Sequence, residues 1–81
     1  MTREPTRQVN RFICQYIEEK GYAPSVREIG SACYMGASAV MRHLDLLEAW
    51  GWITREIGVA RSIRLGERNP LLKTAHTVEK R

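Results

Sequence analysis

The side chains best suited to bond-making chemistry are two cysteines, Cys14 and Cys33, and two histidines, His43 and His76. The cysteines are too far apart for a C-x-x-C redox or metal motif. Together with the histidines they lack the short paired spacings of a zinc site. They read as two free thiols in a reducing compartment. His43 and Asp45 stand two residues apart, so a helix would turn them to different faces and no acid–base pair results. The sequence therefore offers no catalytic residue, no metal set and no cofactor site, and the chain is not expected to be an enzyme. Its arginines point to other chemistry. A planar guanidinium fork matches phosphate oxygens and the exposed edge of guanine. Arg55, Arg61 and Arg64 crowd into ten residues, and Arg42 stands among small side chains. With 13 Lys and Arg against 9 Asp and Glu, the formal charge is +4. That excess is informative only if one face collects it.

Positioning those arginines falls to a chain of 81 residues, room for one small domain. No apolar run nears the roughly 20 residues that span a bilayer. The polar start MTREPTRQVN carries no apolar leader segment, so a cytoplasmic location is expected.

A first helix is predicted from a Thr6 N-cap. Val9, Phe12, Ile13, Tyr16 and Ile17 make its apolar stripe, Cys14 lies off that stripe, and Gly21 ends it. Pro24 keeps Ala23 extended. Ser25 and Glu28 then form a capping box for a second helix. Val26, Ile29 and Cys33 share its inner face with Ala32 beside them, and it ends near Tyr34. Gly36 permits a sharp turn. Ser38 is the expected N-cap of a third helix beginning at about Ala39. Val40, Leu44 and Leu47 face inward, while Ala37, Ser38, Ala39, Met41, Arg42 and Asp45 face out, and Gly51 closes it. Alternating residues 52–57 and 61–65 flank a turn at Gly58-Val59-Ala60 and predict a β-hairpin with Ile53, Ile63 and Leu65 inward. Residues 66–81 show no periodicity and read as a flexible tail or linker.

Two short helices about a tight turn, the second with a small-residue outer face and one arginine, is the layout of a helix-turn-helix. The fold class expected is mainly α with a small β-hairpin: a three-helix winged helix-turn-helix over residues 1–65. Such a helix enters the DNA major groove, and wing arginines grip phosphates or the minor groove. The competing readings are a plain solvated helix face and arginines that only solubilise a strand edge.

Three stretches carry a family resemblance: YIEEKGYAPSVREIG (Tyr16 to Gly30), HLDLLEAWGWI (His43 to Ile53) and ARSIRL (Ala60 to Leu65). From about Thr6 to Leu65 the chain resembles the N-terminal winged-helix DNA-binding domain of LexA-type SOS repressors. The resemblance implies a transcriptional repressor of the SOS-response type that binds double-stranded DNA. Family base-reading positions fall on Ser38, Ala39, Met41 and Arg42. Backbone-contacting positions fall on Arg7, Ser25, Arg27 and the wing residues Arg55, Arg61 and Arg64. LexA proteins continue into a dimerising, self-cleaving domain. The present chain stops before one, so autocleavage is not carried over.

Three features depart from the family pattern. The turn Cys33-Tyr34-Met35-Gly36-Ala37 is one residue shorter, with Tyr34 where the family often places Gly. Met41 and Arg42 replace polar or acidic residues, so a standard SOS operator is not assigned. Trp50 stands where the family usually has a charge. This last feature supports the alternative function, a winged-helix module that docks a repressor or polymerase component through Trp50, Trp52 and Leu46. For the DNA reading, a palindromic operator is expected. Two copies would meet on it through the wing tips at Gly58-Val59-Ala60 or through the tail.

Overall fold

The computed structural model describes residues 4–72; His76 and the rest of the expected tail from residue 73 on lie outside them. The order is α1 (Glu4–Lys20), α2 (Val26–Cys33), α3 (Ala37–Ala49), β1 (Ile53–Thr54) and β2 (Arg64–Leu65). The strands pair antiparallel, Ile53 opposite Leu65 and Thr54 opposite Arg64. This is the expected three-helix winged helix-turn-helix.

The core is the meeting of the predicted stripes. Val9 and Ile13 from α1, Ile29 and Cys33 from α2, and Val40, Leu44 and Leu47 from α3 are all buried. Ile53 and Ile63 of the hairpin close the base. Ala32, expected beside them, is exposed. Its spacing of three from Ile29 is balanced by Gly30 and Cys33, which take the inner face instead.

Two helix starts differ from expectation. Helix α1 begins at Glu4, upstream of Thr6. Pro5 suits a first helical turn, and Glu4 complements the positive end of the helix dipole. Thr6 is therefore not a cap. It is buried, and its Oγ1 lies 2.8 Å from His43 Nδ1 in a hydrogen bond that ties α1 to α3. Helix α3 begins at Ala37 with Gly36 as N-cap, so Ser38 sits within the first turn, exposed. Gly36 is extended (φ −78°, ψ 170°) and its carbonyl accepts from Val40 N at 3.0 Å, which closes that turn without a side-chain cap. The capping box on α2 is as expected: Ser25 Oγ accepts from Glu28 N at 3.2 Å, and Glu28 Oε1 accepts from Ser25 N at 2.9 Å.

The hairpin ladder is shorter than the alternation suggests, two residues per strand. Beyond it the wing is held by side chains. Ser62 Oγ accepts from Glu56 N at 2.9 Å and donates to Glu56 O at 3.1 Å. Chain after β2 folds back onto the body as far as Leu72. Gly66 N donates to Trp52 O at 2.7 Å, and a Cβ on Gly66 would stand 2.3 Å from Gly51 O, so only glycine fits that approach. Asn69 is buried and exchanges two amide hydrogen bonds with buried Asn10, at 2.7 and 3.2 Å; its Nδ2 also donates to Trp52 O at 3.0 Å. These residues belong to the stretch that the sequence reads as a linker.

Candidate nucleic-acid interface

Helix α3 is seated on Val40, Leu44 and Leu47, which leaves Ala37, Ser38, Met41 and Arg42 exposed on its outer side and Ala39 half-buried. Arg42 forms no salt bridge among the described residues. The outer face is thus narrow, with two small residues, one flexible thioether and one uncommitted guanidinium. That suits entry into a groove about 12 Å wide.

The turn that aims α3 is tight. Tyr34 caps α2 in the left-handed region (φ 58°, ψ 49°) and is 92% exposed. Met35 N donates to Gly30 O at 2.9 Å. A Cβ on Gly30 would fall 2.6 Å from Met35 O, so the tight turn depends on a bare α-carbon inside α2. That requirement was not recognised from sequence, although a glycine within a short helix is the signal for it.

An open cleft of about 370 Å³ lies between the start of α2, α3 and the wing. It gathers Ser25, Arg27, Met41, Arg55 and Arg61, five of the residues singled out from the sequence. A second hollow, about 520 Å³, lies between α2 and the start of α3, against Arg27, Ser31, Met35 and Ala37. Arg27 is exposed between the two. Arg7 lies elsewhere, its guanidinium 5.9 Å from the ring centre of Trp52 at the base of the wing.

The wing arginines, alike in sequence, have different fates. Arg64 is exposed and has no salt bridge among the described residues. The Arg55 side chain is only 8% exposed; it pairs with Asp45 through Nη2 and with Glu48 through Nε at 3.1 Å, and its Nη1 donates to Met41 Sδ at 3.7 Å. Arg61, at φ 55°, forks onto Glu28 (Nη1 to Oε1 3.0 Å, Nη2 to Oε2 2.9 Å). Its Nη1 also donates to Ala23 O at 3.0 Å and Tyr16 OH at 3.3 Å, and its guanidinium lies 5.2 Å from the Tyr22 ring centre. The arginine fork and the Ser25 amide hold the Glu28 carboxyl down at about 2, and the Glu28 carboxylate together with the Tyr16 hydroxyl pushes the Arg61 pKa up. Sequence shows these charges but not their pairing across seven to 33 residues.

Both thiols are quiet. Burial raises the Cys14 pKa, against a lowering contribution of its hydrogen bond with Asn69, and burial alone raises that of Cys33. Trp50 is half-buried and meets Trp52 edge-on, ring centres 4.9 Å apart, which draws it into the base of the wing. No group of three or more His, Cys, Asp or Glu among the described residues is placed to hold a metal. No helix among them is long and apolar enough to cross a membrane.

Residues 3–62 match the family described as the LexA DNA binding domain. A LexA repressor of Geotalea uraniireducens is 47% identical over 55 residues, covering 67% of this chain and 27% of that protein. A LexA repressor of Thermotoga maritima is 39% identical over 82 aligned residues, 96% of this chain and 42% of that protein. One from Bacillus cytotoxicus is 41% identical over 70 residues, 84% of this chain and 34% of its own. The chain thus spans less than half the length of these relatives. With the family model spanning residues 3–62, most of its length, the chain belongs to the LexA DNA-binding domain family.

Proposed function

We propose that this chain is a sequence-specific, double-stranded DNA-binding transcriptional repressor module that reads the major groove with α3 and has no catalytic role of its own. The observation that carries the reading is the outer face of α3. Ser38, Met41 and Arg42 are exposed above a fully buried seat, with nothing bulky to block approach. Ser38, Ala39, Met41 and Arg42 would meet base edges, the arginine taking both acceptors of a guanine and the methionine lying against a thymine methyl. Ser25, Arg27 and Arg64 would meet phosphates on either side, and Arg7, at the base of the wing, would meet a further one. No cofactor is required, and the location is cytoplasmic. A small module of this kind gains affinity by pairing on DNA, so the target is a palindromic operator bound by two copies.

Selection from random duplex DNA at a stated, near-physiological salt concentration tests this. A palindrome enriched at fixed half-site spacing supports both the reading and the pairing. A single half-site supports the reading without the pairing. No enrichment, with binding that vanishes as salt rises, leaves only charge-driven contact and overturns sequence-specific repression.

A further inference from the structure

We propose that Arg55 serves recognition by offsetting the carboxylates on α3 and holding Met41, and does not grip a phosphate. The inference rests on the DNA-binding reading and deepens it. All three side-chain nitrogens of Arg55 are engaged within the protein: Nη2 on Asp45, Nε on Glu48 at 3.1 Å, and Nη1 on Met41 Sδ at 3.7 Å. At 8% side-chain exposure, little of the guanidinium faces outward.

Asp45 has the opposite character. It is 69% exposed on the outer side of α3, one turn beyond Met41 and three residues beyond Arg42. An uncancelled carboxylate there would face the phosphates that line the groove, at a range over which salt screens incompletely. Glu48, one further turn fraction along, would add to it. The wing thus delivers a cation from β1's end to the flank of the reading helix. There it offsets one of the two charges of an acidic pair and fixes the rotamer of an unbranched, three-torsion side chain that would otherwise be loosely defined. Arg55 is a positioning residue.

The two roles predict opposite responses to removing the acids. The experiment uses the whole chain and the duplex it enriches from random DNA. Arg55→Ala is expected to weaken binding roughly tenfold and to blur preference at the base pair beneath Met41. Adding Asp45→Asn and Glu48→Gln to that variant is expected to restore most of the affinity but not the sharp preference. A phosphate-gripping Arg55 gives no recovery, and that result overturns the proposal. Should Arg55→Ala fail to fold by circular dichroism, the Asp45→Asn, Glu48→Gln variant with Arg55 intact decides. An unchanged salt slope supports the positioning role, whereas a slope steeper by about one, from an arginine released onto phosphate, overturns it. If the unaltered chain enriches no sequence, the DNA reading itself falls and takes this inference with it. Enrichment without recovery removes only the role assigned to Arg55.

Discussion

Arg61 closes on Glu28 as a fork on a fork, Nη1 to Oε1 at 3.0 Å and Nη2 to Oε2 at 2.9 Å, while the same Oε1 accepts the Ser25 amide. One carboxylate therefore does two jobs. It caps the helix that precedes the turn, and it latches the returning arm of the wing to that helix. The latch makes wing position and helix start a single mechanical unit, since Arg61 also reaches Ala23 O and the Tyr16 hydroxyl on the far side of the link.

That pairing fixes a pH signature. The Glu28 carboxyl is held at about 2 in the folded chain, below its ordinary value of 4.5. A depressed acid stabilises the fold fully above its unfolded pKa and loses that contribution as pH falls through the folded one. The melting temperature of Glu28→Gln is therefore expected to lie below that of the parent by a constant amount from pH 7 to about 5. The gap should narrow between 4.5 and about 2. A gap unchanged down to the lowest pH would mean that Glu28 acts through packing, not through its charge.

The turn offers two substitutions of opposite sign. Gly30→Ala sets a methyl 2.6 Å from a backbone oxygen that cannot swing away, so a loss of about 1–3 kcal/mol is expected by urea unfolding. Tyr34→Gly relieves a left-handed tyrosine and is expected to gain up to about 1 kcal/mol, less the extra freedom glycine has when unfolded. If Gly30→Ala is neutral, the three-residue link has slack and does not set the angle of α3.

How far the sequence foretold this arrangement depends on the range of the interaction. Val40, Leu44 and Leu47 announce a buried seat by spacing alone, and Ser25 with Glu28 announce a cap, because both are settled within one or two helical turns. The partner of Glu28 lies 33 residues away and those of Arg55 seven and ten, so the wing arginines look equivalent in sequence. Thr6 misled for the same reason. Its hydroxyl has a local use as a cap and a distant one with His43, and the tertiary bond prevails once Pro5 and Glu4 start the helix unaided. The hairpin's long alternation shrank to two paired residues per strand, and beyond them the Ser62 hydroxyl takes up the Glu56 backbone N–H and carbonyl.

The fold-back after β2 predicts where the domain can be cut. Asn69→Ala would strand the side-chain amide of buried Asn10, whose oxygen and nitrogen it now satisfies. An unsatisfied buried polar group costs about 1–3 kcal/mol, so that loss is expected in thermal unfolding followed by circular dichroism. A chain ended at Leu65 should lose at least as much, and one ended at Leu72 little. Equal melting of the two truncations would return residues 66–72 to the role of linker.

The last expectation separates reading from gripping. Arg42 and Arg64 are both exposed and neither forms a salt bridge among the described residues, yet one stands on the outer face of α3 and the other on the wing. Arg42→Ala is expected to cost about 1–3 kcal/mol at one base-pair position and to relax preference there, leaving other positions as they were. Arg64→Ala is expected to weaken every duplex alike and to lower the salt slope by about one. Binding measured across a set of single-base operator variants at several salt concentrations distinguishes the two patterns. If Arg42→Ala reproduces the uniform pattern, α3 lies along the backbone instead of entering the groove, because a guanidinium that meets only phosphate has no base to prefer.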